Sequence, residues 1–157
     1  MGVMTRWLDD DEQRTWRAYL HATRALNATL DRELQSQAGM PHAYYQILVR
    51  LSEAPGRTLR MSELAEATDS SRSRLSHAVA RLEEYGWVRR EDCPTDRRGQ
   101  LAVLTAPGFA ALAAAAPGHV EAVRRHLFDQ LTPDQVDQLR NISEALVKHL
   151  TGNNPPS

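Results

Sequence analysis

One cysteine stands in the whole chain, Cys93. No intrachain disulfide can form, and a cysteine-rich zinc site has too few sulfurs; the context reads as reducing. Nothing approaches the ~18 consecutive apolar residues that a bilayer span demands. The first residues carry acids and lack the apolar core of a signal peptide, so a soluble, cytoplasmic protein is expected. Charge of one sign is not in excess either. With 19 Lys and Arg against 20 Asp and Glu, the formal net charge is −1. Global basicity is therefore no argument for a polyanionic partner, and any such affinity must come from local placement. Signatures of catalysis are missing: there is no glycine-rich phosphate loop and no Ser/His/Asp motif in recognisable context. The histidines at 21, 42, 77, 119, 126 and 149 include no close helical pair of ligand type. Neither an enzyme nor a bound metal or cofactor is expected.

What the chain does have is periodicity. Its 157 residues, 41% apolar and 25% charged, suit one compact domain or two small lobes sharing a core. From about Asp10 to Gln37, apolar spacing at Trp16, Tyr19, Leu20, Thr23, Leu26, Leu30 and Leu34 predicts a long amphipathic helix. Gly39 stops it and Pro41 lies just beyond. Tyr44, Ile47, Leu48 and Leu51 mark a second helix, ended by Ala54-Pro55-Gly56. Thr58–Arg60 is too short for more than a minor strand. Ser62 reads as the cap of a short helix through Leu64 and Ala65. Ser71 reads as a fresh cap for a helix running to about Tyr85-Gly86. Beyond 105, Phe109, Leu112, Val120, Val123 and Leu127 line a helix that Pro117-Gly118 must kink or split, a kink being favoured. Thr132-Pro133-Asp134-Gln135 combines a cap, a first-turn proline and a capping-box glutamine. It opens a final helix with Val136, Leu139, Ile142, Leu146 and Leu150 on one stripe. Asn153 to Ser157 reads as a frayed tail.

Two features carry chemistry. The short helix at Ser62–Ala67, a tight joint and the helix from Ser71 have the proportions of a helix-turn-helix. On the second helix Leu75, Ala78, Val79 and Leu82 share one face. The other face carries Arg72, Ser73, Arg74, Ser76, His77 and Arg81, and no acid occurs between Ser70 and Leu82. Small hydroxyls permit close approach to DNA, while arginines reach guanine edges and phosphates. The second feature follows at once. Trp87–Arg90 and Leu101–Thr105 read as two short strands, and Pro94, Asp96 and Gly99 between them are turn formers. The resulting hairpin places Arg97 and Arg98 beside Asp96 at its tip, which suits a narrow negative groove or a phosphate backbone.

At these residues the chain resembles the MarR-type winged helix-turn-helix regulators. The likeness runs through Glu63-Leu64-Ala65, Arg81-Leu82-Glu83 and Gly86-Trp87-Val88-Arg89-Arg90. It continues through the wing signature Asp96-Arg97-Arg98-Gly99 to Leu104-Thr105 and Gly108, and covers about residues 10–150. The resemblance implies a mainly α fold with a small β-hairpin wing. It implies one domain over 1–157, with a DNA-binding lobe at about 41–105 and dimerisation helices at about 10–38 and 106–150. It implies a homodimeric transcriptional regulator, a repressor relieved by a small ligand, on a pseudo-palindromic double-stranded operator. Ser71, Arg72, Ser73, Arg74, Ser76 and His77 would form the DNA face of the recognition helix. Asp96 would orient Arg98 by a salt bridge so that the wing reaches the minor groove. Arg74 and His77 stand where small or differently charged residues are also common, so the operator sequence does not follow.

Weaker signals point elsewhere. Arg89, Arg90, Arg97 and Arg98 lie close to Cys93 in sequence and would lower its pKa, the setting of an oxidation sensor. Trp16, Tyr19, Tyr44 and Tyr45, with His42 and Arg24, could line a cavity for a small aromatic ligand, although such stripes usually serve as core. A redox switch at Cys93, or a winged-helix protein–protein module, are the alternatives to a DNA-binding regulator. An interaction module would show an apolar helix face, and this face is basic.

Overall fold

Asp9 starts the first helix as its residues dictate. Its carboxylate accepts the Glu12 N–H at 2.8 Å while Glu12 accepts the Asp9 N–H at 3.0 Å. The computed structural model describes residue 2 and residues 4–152, so the expected frayed tail at 153–157 lies outside the described residues. From that cap α1 runs over Asp10–Ala38 and ends at Gly39, whose N–H still reaches the Gln35 carbonyl and whose positive φ of 62° turns the chain out of the helix. Next come α2 (His42–Glu53), β1 (Thr58–Arg60), α3 (Met61–Ala67) and α4 (Arg72–Glu84). The hairpin strands β2 (Val88–Cys93) and β3 (Asp96–Leu104) follow, then α5 (Ala106–His126) and α6 (Pro133–Thr151). No described helix is long and apolar enough to cross a membrane.

One sequence expectation shifts here. The short third helix opens at Met61, not after Ser62, because extended Arg60 leads straight from β1 into it. Glu63 then accepts the Arg60 N–H at 3.1 Å, leaving Ser62 inside the first turn. Beyond the hairpin, α5 continues through Pro117 as one helix, so the proline does not split it.

The chain divides into two compact units, one ending at His119 and one beginning at Val120. In the first unit a three-stranded antiparallel sheet has the order β1-β3-β2, with Leu59 opposite Ala102 and Val88 opposite Leu104. Leu48 and Leu51 of α2, Leu64 of α3, Val79 and Leu82 of α4 and Ala102 of β3 have no accessible surface. Each leucine buried in this way contributes roughly 1.5–3 kcal/mol. In the second unit Thr132 and Gln135 cap α6 reciprocally, at 3.2 and 2.9 Å. No residue of α6 is buried, and Ile142 (58%) and Leu150 (76%) are widely exposed.

One joint fixes the hairpin to what precedes and follows it. Gly86, at φ 75°, turns the chain out of α4. The Thr105 hydroxyl donates to the Gly86 carbonyl at 2.6 Å and accepts the Gly108 N–H at 3.1 Å. Thr105 N–H also donates to the Trp87 carbonyl at 3.0 Å. A Cβ on Gly108 would overlap that carbonyl, so the first turn of α5 can approach only without a side chain there. Gly108→Ala should therefore cost about 1–3 kcal/mol, the usual range for overpacking. Urea unfolding followed by circular dichroism checks this; an unchanged midpoint would show that the joint relaxes freely.

Candidate nucleic-acid interface

The orientation of α4 follows from which of its side chains must leave water. Leu75, Val79 and Leu82 are buried, and Ser71 caps the helix by accepting the Arg74 N–H at 3.2 Å. Helical geometry then turns Arg72, Ser73, Arg74, His77 and Arg81 outward, and all five are exposed. Among the described residues no acid pairs with Arg72 or Arg74. Two of the expected residues already have partners within the chain. Arg81 pairs with Glu84 at 3.0 Å in the last turn. Ser76 is half-buried and accepts a hydrogen bond from Arg90 of β2 at 3.3 Å.

Arg90, expected only as a charge near Cys93, ties hairpin to helix. Its guanidinium reaches Glu83 at 2.6 Å as well as Ser76. The signal was present in principle, since a basic residue on the strand after an acid-terminated helix can fold back onto it. Only the register of β2 decides that it does.

The hairpin tip differs from the expected one. The strands extend farther, the turn is Pro94-Thr95, and Cys93 stands opposite Asp96. Asp92 pairs with Gln100, so Arg97, Arg98 and Gly99 are three residues of β3 with no counterpart on β2. They form an irregular bulge rather than the turn itself, and both arginines are exposed. The expected salt bridge is also replaced. Asp96 Oδ1 accepts the backbone N–H of Arg98 at 3.0 Å, and among the described residues no ion pair joins the two side chains. Asp96 shapes the bulge instead of aiming a guanidinium, because an aspartate two residues upstream reaches a main-chain donor most directly.

Helix and bulge line one cleft of about 390 Å³, to which Arg60, Arg72, Ser76, Asp96 and Arg98 all contribute. Cys93 is buried behind the turn, with Sγ 3.4 Å from the Thr95 hydroxyl. That hydroxyl, aided by the charge of Arg60, holds the thiol below its ordinary pKa. The arginines expected to do so are engaged elsewhere in part: Arg89 pairs with Glu91 and Arg90 with Glu83.

The aromatic residues of α1 and α2 lie in different settings. Trp16 and Tyr19 stack on each other at 6.4 Å on an exposed face of α1. Tyr45 is buried and packs on His119 at 4.5 Å, while Tyr44 packs at the edge of the core. His119 of α5 also meets His42 at 5.2 Å, a pairing across elements that helical spacing could not reveal. Among the described residues no group of three potential metal ligands forms.

The family model for the MarR family matches residues 38–99. Sco3205, a MarR family transcriptional regulator from Streptomyces coelicolor solved in complex with DNA, is 54% identical. Its likeness covers 98% of this chain and 94% of that one, with a TM-score of 0.90. AbsC, a MarR family transcriptional regulator from the same organism, is 46% identical over 95% of this chain and 100% of its own, with a TM-score of 0.88. The chain belongs to the MarR family. Among curated relatives, the transcriptional repressor MprA of Escherichia coli is 27% identical over 134 residues, 85% of this chain and 75% of that protein.

The histidine pair predicts a pH dependence of stability for this MarR-family regulator. Burial lowers the pKa of both imidazoles; Asp31 partly opposes this at His42, and at His119 the charge of His42 adds to it. His119 Nδ1 is buried and makes no hydrogen bond. A base with a depressed folded pKa contributes full stability above its unfolded value near 6.5 and loses it as pH falls toward the folded value. Thermal melts should therefore decline between pH 7.5 and 5, and less steeply in His119→Phe. Parallel curves for the two proteins would remove His119 from the effect.

Proposed function

We propose that this protein is a sequence-specific, homodimeric DNA-binding repressor whose α4 enters the major groove and whose β2–β3 wing reaches the adjacent minor groove. One observation carries the reading: the exposed face of α4, free of acids from Arg72 to Arg81, and the arginine bulge of the wing border a single cleft. Ser73, Arg74 and His77, on the exposed face that begins at the first turn, read base edges. Arg72, Arg97 and Arg98 meet phosphates and groove shape. The complex of Sco3205 with DNA supports the DNA partner, and the name of MprA supports the sign of regulation. A small ligand that changes the separation of the two recognition helices would relieve repression. The site of action is the cytoplasm, where the operator lies.

Dimerisation is supported by unpartnered apolar surface. Trp7 and Leu8 ahead of α1, Trp16 on α1, and Leu139, Ile142, Leu146 and Leu150 on α6 are all exposed in the single chain. Scattered apolar residues are ordinary, but a continuous stripe along a helix marks an interface. Ile142→Asp should convert the dimer to a monomer in sedimentation equilibrium at micromolar concentration. A variant that sediments as the wild type would take α6 out of the interface.

Selectivity and affinity should separate by residue. Arg74→Ala should cost about 1–3 kcal/mol on the operator and relax base preference. Asp96→Ala should weaken binding by releasing the bulge, whereas Asp96→Asn keeps an oxygen for the Arg98 N–H and removes a charge near phosphate. Asp96→Asn should therefore bind at least as tightly as the parent. Fluorescence anisotropy on an operator selected from random duplexes, and on its point mutants, measures all three. Equal losses in Asp96→Asn and Asp96→Ala would show that the carboxylate charge, not the backbone bond, matters.

A further inference from the structure

We infer that the cleft between α4 and the wing seats backbone phosphate of duplex DNA, and that Arg60 is a phosphate-contacting residue. This rests on the DNA-binding reading above and names a residue outside both the recognition helix and the wing. Arg60 ends β1, opposite Leu101 of the central strand, and is exposed. It therefore sits on a rigid sheet position, not a loop. Its guanidinium donates to the Thr95 hydroxyl at 3.1 Å, which extends it across the base of the hairpin toward the turn. It lines the same cleft as Arg72 from the helix and Arg98 from the bulge.

Charge in that cleft is unbalanced. Of its lining residues, Arg60, Arg72 and Arg98 are cationic, and Asp96 is the one acid. Asp96 already accepts the Arg98 backbone N–H. Glu63, three residues after Arg60, is turned to the Arg60 main chain at 3.1 Å. The hydroxyl that Arg60 meets is neutral and Asp96 offsets only one of the three positive charges, so the cleft keeps a net positive charge. Three guanidiniums around one cleft repel one another, and an anion between them relieves that repulsion.

The geometry of a duplex supplies that anion. A major groove and the neighbouring minor groove are separated by one sugar-phosphate strand. If α4 lies in the first and the wing in the second, that strand passes between them, which is where the cleft opens. Its phosphates meet Arg72 on one side, Arg98 on the other, and Arg60 at the floor.

The test uses the intact protein and a duplex that it selects from a random pool. In Arg60→Gln, the slope of log affinity against log salt should fall by about one per half-site, or about two per dimer. The advantage of the wild type should shrink about tenfold between 50 and 200 mM KCl, with the ratio of operator to random affinity unchanged. Arg60→Lys should recover most of the slope. A methylphosphonate scan on the wild type asks the same without a substitution. Neutralising the phosphates between the α4 and wing contacts should weaken it, and should weaken Arg60→Gln less. Inorganic phosphate should compete no better than chloride at equal ionic strength; stronger competition would make the cleft a site for a free oxyanion instead. An unchanged slope in Arg60→Gln, with no methylphosphonate effect on that strand, overturns the inference even if Arg74→Ala still relaxes selectivity. A wild type that prefers no duplex would overturn the DNA-binding reading itself.

Discussion

Burial of three side chains on one stripe of α4 constrains everything the protein presents to a partner. Leu75, Val79 and Leu82 leave water completely or nearly so, and a helix has only one way to place residues four and seven apart on its inner face. Rotating the helix to shelter its arginines would expose those side chains. It would also bury guanidiniums without acids to meet them, at several kcal/mol each. The hydrophobic effect, which is indifferent to DNA, thus sets a cationic surface in a fixed orientation. Net charge contributes nothing to this, since it is −1. Position does the work that overall basicity does in other nucleic-acid-binding proteins.

A fixed helix is useful only if the wing holds a fixed place beside it. Here polar contacts take over from packing. Arg90 spans from β2 to Glu83 and Ser76 of the helix, and Thr105 joins the return strand to Gly86 at the helix exit. Gly108 lets α5 start in contact with the Trp87 carbonyl. Within the first unit, recognition helix, wing and the start of α5 are therefore tied at one place. A displacement of the first turn of α5 would be felt at the wing. Small changes at such packed joints are the usual means by which a ligand alters the separation of reading heads.

Much of this was legible in the residues. The cap at Ser71, the capping box at Thr132–Gln135, the stop at Gly39 and the outward face of α4 follow from local rules that depend on a few neighbours. What was not legible depends on register or on contact between distant elements. Strand pairing sets how many residues a hairpin spends on its turn. Pro94-Thr95 took that role, and Asp96-Arg97-Arg98-Gly99 became part of a strand with a bulge. Asp96 looked like a partner for a side chain and proved to be one for a main chain. Ser62 looked like a cap because serine favours that place, but β1 delivers the chain to α3 two residues earlier, with Arg60 as the cap. The meeting of His42 with His119, 77 positions later, leaves no trace in any local window.

Hydroxyl-radical footprinting of the bound operator tests the combined placement of helix and wing most directly, because the radical attacks sugars along the minor groove and along each backbone strand. Two symmetric blocks of protection should appear, with half-sites roughly 10 base pairs apart centre to centre, each flanked on its outer side by a protected stretch of minor groove. Arg98→Ala should lose those outer stretches and keep the inner blocks. Protection confined to the inner blocks in the wild type, with none in the flanking minor groove, would contradict the role given to the wing.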